Sequence, residues 1–442
     1  MPHLRPLVTL ACLGALIAGR LMAATAAPTA PNSAELEAFA DSVDAELRTD
    51  ILPYWMNHFR NPSGDGFLGE IENDNTVKAG APIGSLLTSR ILWTYSAAYR
   101  RTRDPQYLAM ANAAYDTLQR RFWDPVDGGF LWSLSPDGRV IDDRKEVYGQ
   151  SFAIYGLAEY YLATGNKAAL DRAIDVYRLL EKYSHDPVHG GYLEAFTRDW
   201  KRPPGARLSD IGPEYPKSQN TNLHLMEAYT NLLRAWPDAG LRANLRALAD
   251  VMITRVLSPD GSHLILYFDA DWTPRSTTTS FGHDIEFNWL LTETAGVLGD
   301  PAFTARVKPI CLKIAAYTLE HGVDKDGGLM NEANPAGVIT DGSKEWWQQA
   351  EALTGFINAY ELSGDPKYYA AARGVWGFIQ AHIIDHKDGE WFWGVERDGT
   401  VEPHRYKAGF WKCPYHDSRC CMEASKRLWT LAAGAAPAKP TN

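Results

Sequence analysis

Two kinds of helical pattern alternate along this chain. From Leu86 to Tyr99, Ser151 to Leu162, Leu223 to Leu233, Ile285 to Val297 and Ala350 to Leu362, apolar residues run almost all the way round, with alanine and aromatics prominent. That is the signature of a helix covered on most sides. Behind them come stretches such as Tyr107 to Leu118 and Tyr368 to Ile379, apolar only at three- and four-residue spacing, as expected where one face meets water. The first set predicts inner helices and the second outer ones. Breaks at Asp104-Pro105, Gly165-Asn166, Gly299-Asp300-Pro301 and Gly364-Asp365-Pro366 separate the two kinds. Asp or Asn at an N-cap with Pro at the first helical position is a start signal.

The return connection is marked six times by a glycine turn running into an aromatic or aliphatic pair. These turns are Asp65-Gly66-Phe67-Leu68, Asp127-Gly128-Gly129-Phe130, His189-Gly190-Gly191-Tyr192, Asp260-Gly261-Ser262-His263, Asp326-Gly327-Gly328-Leu329 and Asp388-Gly389-Glu390-Trp391. Their first glycines are 62, 62, 71, 66 and 62 residues apart, room for two helices and their connections. Six helical hairpins, none able to bury its apolar face alone, predict an all-α fold closed on itself, an (α/α)6 barrel with short β-hairpins at the turns. An open solenoid of the same units is the alternative, although solenoids usually have more and shorter repeats. A closed ring brings the leading ends of the inner helices to one central pocket. Residues 35–432 read as a single barrel domain, with 27–34 a flexible lead-in and 433–442 a disordered tail. Gly80–Leu86, Pro203–Pro216 and Asn331–Lys344 are the main irregular segments, and long loops in compact domains often serve as lids.

Residues 1–26 have another character. Arg5 precedes an apolar run from Leu7 to Ala18, and Ala24-Thr25-Ala26 offers a small-x-small cleavage site, a secretory signal pattern. The run is too short for a permanent membrane anchor, and export to a bacterial periplasm is expected. Loss of this leader removes two arginines and no acid, taking the net charge from −10 to −12. An acidic chain without basic clusters argues against nucleic acid and anionic membrane as partners. Monomer or weak homodimer is the expected state. Beyond the leader stand Cys311, Cys413, Cys420 and Cys421. Export would permit Cys413 to pair with Cys420 or Cys421, although buried free thiols suit so sparse a set.

The repeat register, taken at the leading edge of the inner helices, assembles one candidate site. It contributes Arg90, then Tyr148 and Gln150, then Asn220 and His224. His283, Glu286 and Trp289 follow, then Trp346, Trp347 and Glu351, and lastly Trp411, Tyr415 and His416. Imidazoles titrate near neutrality and can both take and return a proton, which makes His283, His416 and His224 the candidate acid–base groups. Glu286 follows His283 by three residues and shares its helical face, where it could orient the ring. Indole faces match the C–H face of a pyranose, and carboxylates, arginine and asparagine suit its hydroxyls. Metal, phosphate and serine-triad motifs are absent from the sequence, and no cofactor or metal is expected.

At these residues the chain resembles the N-acylglucosamine 2-epimerase superfamily, and within it the cellobiose 2-epimerases. The strings that carry the resemblance are Asn220-Thr-Asn-Leu-His224-Leu-Met-Glu-Ala, Gly282-His283-Asp-Ile-Glu286-Phe-Asn-Trp289, Glu345-Trp-Trp347-Gln-Gln-Ala-Glu351 and Trp411-Lys-Cys-Pro-Tyr-His416, with Ser89-Arg90 and Glu146-Val-Tyr148-Gly. The likeness runs from about Leu36 to Trp429. It implies the same barrel and a metal- and nucleotide-independent inversion of C2 in the reducing-end sugar of a disaccharide. His283 and His416 would work on opposite faces of C2, with His224 opening and closing the ring. Arg90, Tyr148 and Asn220 would hold the open-chain oxygens, Glu286 and Glu351 would orient and charge-balance the histidines, Trp347 would stack on the reacting sugar and Trp411 on its neighbour. Three rivals remain on the residues alone. One is an aldose–ketose isomerase, in which the proton returns to C1. Another is an inverting glycosidase using Glu286 and Glu351 about 6.5–9.5 Å apart, and the third is a non-catalytic glycan binder.

Overall fold

The computed structural model describes residues 28–64, 66–203 and 214–435. The predicted leader, Asp65, most of the Pro203–Pro216 segment and the tail from 436 lie outside them. The chain starts on the outer layer with α1 (Ser33–Glu46) and α2 (Leu52–His58), then alternates inward and outward. The inner helices are α3 (Ser85–Thr102), α5 (Val147–Thr164), α7 (Gln219–Ala235), α9 (Phe281–Leu298), α11 (Trp346–Ser363) and α13 (His416–Ala435). The outer ones are α4 (Pro105–Thr117), α6 (Lys167–Tyr183), α8 (Ala239–Val251), α10 (Pro301–His321) and α12 (Pro366–Phe378). Each inner helix packs on the next around a ring. Thr94 Oγ1 closes it, donating 2.6 Å to the Pro414 carbonyl just ahead of α13. The result is an (α/α)6 barrel.

The predicted breaks are where the helices turn. Asp104, Asn166, Asp300 and Asp365 cap the outer helices through their side chains. The inner helices before them end on left-handed residues, Arg103, Gly165, Gly299 and Gly364. Three features differ from the sequence pattern. The sixth helical pair is formed by the two ends of the chain, α1 lying against α13 with Ser33 Oγ bonded to the Ala432 carbonyl at 2.8 Å. The first helix also starts at Ser33, inside the expected lead-in, because Asn32 and Glu35 form a reciprocal capping box. Asn331–Lys344 is not irregular. Glu332–Ala333 and Ile339–Asp341 pair as a hairpin, which adds to Thr279–Ser280 ahead of α9.

Beneath four of the turns, buried lysines tie one unit to the next. Lys145, Lys217, Lys344 and Lys407, all fully buried, bond Asp124, Asp186, Asp326 and Asp385 at 3.0, 2.7, 2.6 and 2.5 Å. Amide side chains on the inner helices add a second tie. Gln150 bonds both the N–H and the C=O of Phe130, and Gln349 does the same for Leu329. Gln150 therefore belongs to this scaffold and not to the pocket rim. Burying a charge is tolerated only where it is paired, so these contacts fix where each inner helix begins and hence the height of its first-turn side chains.

Candidate active site

Helix register sorts the site into two layers. Tyr148, Asn220 and Trp347 are the second residues of α5, α7 and α11, and His283 is the third of α9. One turn deeper, Arg90, His224, Glu286 and Glu351 each occupy the sixth position of α3, α7, α9 and α11. Residues three or four apart lie on one helical face, so equal positions on neighbouring helices make a mouth and a floor.

At the mouth, Trp347 stands between two histidines. Its ring lies 4.7 Å from that of His283 and 5.9 Å from that of His416. Gly282 permits this approach, since a Cβ there would come within 2.7 Å of the indole. Each imidazole is anchored through Nδ1, His283 on Ser280 Oγ at 2.8 Å and His416 on Glu351 Oε1 at 2.7 Å. Nε2 is thus the nitrogen left for a substrate. Burial holds both rings below the ordinary histidine range; nearby His224 adds to the effect at His283, as do Arg90 and Arg419 at His416. A neutral imidazole is the form that accepts a proton.

The floor is a buried charge cluster. His224 donates from Nδ1 to Glu227 at 2.8 Å, and its Nε2 lies 3.8 Å from Glu286. Arg419 reaches three carboxylates: Glu227 through Nη1, and Glu286 and Glu351 through Nη2 at 2.8 and 2.6 Å. Trp289 Nε1 bonds the far oxygen of Glu351 at 2.9 Å, and Tyr415 Oη donates to Glu227 at 2.5 Å. Burial raises Glu286 and Glu351, and in each case only partly yields to Arg419. At Glu227 the Arg419 charge and its hydrogen bonds overcome burial and bring it down to about 2. Burial likewise lowers His224. Glu286, Glu351 and His416 place ligand atoms within 4.8 Å of one another, but the cation among them is the Arg419 guanidinium.

The remaining predicted residues surround these layers. Arg90 is 2% exposed and donates to Tyr148 Oη at 2.6 Å and to the Trp411 carbonyl at 3.1 Å. With its oxygen already accepting from Arg90, the Tyr148 hydroxyl has a proton to offer outward, and burial keeps it on the phenol. Asn220 is half-buried, with an Oδ1 that finds no partner among the described residues. Trp411 is half-exposed and packs 6.0 Å from the Tyr148 ring. Trp346 is a wall residue. It is buried against Trp393 at 4.6 Å and touches His416 from behind.

Glu286 does not orient His283, as the i,i+3 spacing suggested; Ser280 does. Sequence reasoning also missed Glu227, Arg419, Ser280 and the full bonding of Trp289 and Tyr415. Glu227 carried a visible sign, since it follows His224 by three residues as Glu286 follows His283. Arg419 stands in the same relation to His416. The four described cysteines are buried and free, so Cys413 forms no bridge to Cys420 or Cys421. Its sulfur instead lies 3.7 Å from Arg90 Nη1.

The family model for N-acylglucosamine 2-epimerase matches residues 66–420. A cellobiose 2-epimerase of Bacteroides fragilis is 42% identical over 387 residues, covering 88% of this chain and 98% of its own. The solved structure of the cellobiose 2-epimerase from Spirochaeta thermophila aligns with a TM-score of 0.83 at 39% identity, covering 90% of this chain and 98% of that one. More distantly, a D-mannose isomerase of Marinomonas mediterranea is 25% identical over 83% of this chain and 92% of its own. Histidines gathered over an indole in an (α/α)6 barrel, together with a match over most of the chain, make this protein an isomerase belonging to the N-acylglucosamine 2-epimerase family.

Proposed function

We propose that the enzyme inverts C2 of the reducing-end sugar in β-1,4-linked disaccharides of the cellobiose, mannobiose or lactose type, without a cofactor, by passing protons through His283 and His416. The observation that carries this reading is the pair of Nδ1-anchored imidazoles flanking the half-exposed Trp347. A pyranose-derived chain lying on the indole would present C2 between two nitrogens. His224, with Nδ1 given to Glu227, takes the C1 hydroxyl proton on Nε2 and passes it to the ring oxygen as the bond from C1 to that oxygen breaks. One histidine then breaks the C2–H bond, and the electron pair moves toward the C1 carbonyl. The enediolate oxygen receives a hydrogen bond from Tyr148, which Arg90 polarises. The other histidine, which enters this step as the imidazolium with a proton on Nε2, gives that proton to the opposite face of C2, so the two rings exchange protonation states.

The two bases are supported differently. Glu351 stabilises an imidazolium at His416, as a carboxylate does behind a catalytic histidine. The Ser280 hydroxyl oxygen accepts from His283 Nδ1–H whether the ring is neutral or charged, which leaves Nε2 to gain or lose the proton. Both rings can therefore hold either state, as a reversible inversion requires. Trp411 would meet the second sugar, and relatives 42% and 34% identical to this chain that are named cellobiose 2-epimerases support a disaccharide. The leader pattern in residues 1–26 supports export to the periplasm.

A ketose-forming isomerase uses the same first step and differs in protonating C1. An inverting hydrolase needs two carboxylates free to flank a glycosidic oxygen, whereas Glu286 and Glu351 both bond one nitrogen of Arg419. The test is incubation with cellobiose and mannobiose in D₂O. Deuterium at C2 and an intact epimer are expected, with exchange abolished by His283→Asn or His416→Asn. A ketose-ended product would favour the isomerase, monosaccharides the hydrolase. Neither product nor exchange from any β-1,4-linked disaccharide would defeat the reading.

A further inference from the structure

Three buried carboxylates face a single guanidinium under the pocket, and their hydrogen bonding is unequal. Glu227 accepts from Arg419 Nη1, Tyr415 Oη and His224 Nδ1. Glu351 accepts from Arg419 Nη2, Trp289 Nε1 and His416 Nδ1. Among the described residues Glu286 accepts only from Arg419 Nη2 at 2.8 Å. Its Oε2 is buried with no hydrogen-bond partner among them and lies 3.8 Å from His224 Nε2. Three donors hold a carboxylate in its charged form, whereas a bare buried carboxylate oxygen strongly disfavours the charge. The other titratable groups nearby, Tyr148 from α5, His283 on α9 itself and His416 on α13, donate nothing to Glu286 among the described residues.

We propose that Glu286 is a neutral carboxylic acid in the resting enzyme, its proton on Oε2, and that it acts as a positioning residue keeping His224 a base. The proposal rests on the reading of His224 as the group that opens and closes the sugar ring. Because His224 gives Nδ1–H to Glu227, Nε2 is a bare lone pair. An ionised Glu286 opposite would draw a proton onto that nitrogen, and the resulting imidazolium could not accept the C1 hydroxyl proton. A neutral acid leaves the lone pair free. It also leaves two anions, not three, around Arg419, which lessens the cost of burying the cluster.

Infrared difference spectra of wild type against Glu286→Gln and Glu351→Gln read the proton directly, through the C=O stretch of protonated carboxyls. Glu46, Glu194, Asp284 and Asp417 are also raised by burial, so the wild-type spectrum holds several such bands and the informative one is the band lost on substitution. Glu286→Gln should lose one band and keep kcat/KM within about tenfold, no more than one ordinary hydrogen bond is worth. Glu351→Gln should keep the band and lose roughly 10²-fold, as when positioned proton transfer is impaired. Should Glu286→Gln fail to fold, ¹³C-glutamate-labelled wild type compared with Glu286→Asp reads the same band. A spectrum with no lost band at Glu286, or a band lost at Glu351 instead, overturns the proposal. So does a loss near 10²-fold in Glu286→Gln. An inactive wild type would end the functional reading while leaving the infrared result standing.

Discussion

Replacing Ser280 with alanine removes the hydrogen bond that anchors His283 and little else. The serine sits at the N-cap of α9, yet its side chain makes no bond to the helix backbone; its oxygen goes to His283 Nδ1 at 2.8 Å. The usual loss of about 1 kcal/mol on deleting a capping side chain should therefore not appear in stability. What disappears is one neutral hydrogen bond, a net 0.5–1.5 kcal/mol by general experience, which corresponds to about 2- to 13-fold in rate. The Trp347 ring, 4.7 Å away, still limits how far the imidazole can swing, which keeps the effect inside that range. Initial rates of epimer formation from cellobiose, measured beside thermal melts, check this. The expected result is a lower kcat, a nearly constant KM and a melting temperature lowered by no more than this one hydrogen bond is worth. A loss above 10²-fold would mean that Ser280 takes part in the chemistry itself. An unaltered rate with a lowered melting temperature would mean that it is merely a cap, and the orienting role would be wrong.

Acid stability and substrate stacking give two further expectations. Burial lowers His224, His283 and His416, His283 to about 3, so these rings are neutral in the fold where the unfolded chain is charged. The stability they contribute is complete above the ordinary histidine value and is lost as pH falls below it, at up to about 1.4 kcal/mol per pH unit for each ring. Glu286 and Glu351, raised by burial, bind protons in the fold before the unfolded chain does and act in the opposite direction. Urea midpoints between pH 7 and 5 should fall less steeply for His283→Asn than for wild type; identical slopes would show that His283 is not held neutral. Trp347→Ala should raise KM for cellobiose by about 2- to 13-fold, the range of one aromatic stacking contact. Trp346→Phe should leave KM unchanged, because that indole packs inside the wall; a KM effect there would place Trp346 on the sugar.

What the chain determines by itself is whatever depends on neighbours a few residues apart. Apolar periodicity separates inner from outer helices because 3.6 residues per turn sets which positions share a face. Asp-Pro and glycine signals end helices because their backbone and capping chemistry are local. The repeat register then assigns residues to the leading edge of the inner helices, which is why Arg90, His224, Glu286 and Glu351 were legible as members of one pocket beside His283 and His416, while their division into mouth and floor awaited the helix starts.

Tertiary structure decided everything that depends on distance across the ring. The i,i+3 spacing of His283 and Glu286 pointed to a contact that is not made, because the carboxylate bonds Arg419 while Ser280 takes the imidazole. The separation of Trp346 from Trp347 is a matter of rotation, since adjacent residues on a helix point about 100° apart and only packing against Trp393 settles which one faces inward. The same holds for Arg419, whose single charge reaches Glu227, Glu286 and Glu351 on three different helices. Hydrogen bonds and ion pairs need ångström-level approach, and that approach is set by how six helices lean together, which no local pattern in any one of them encodes.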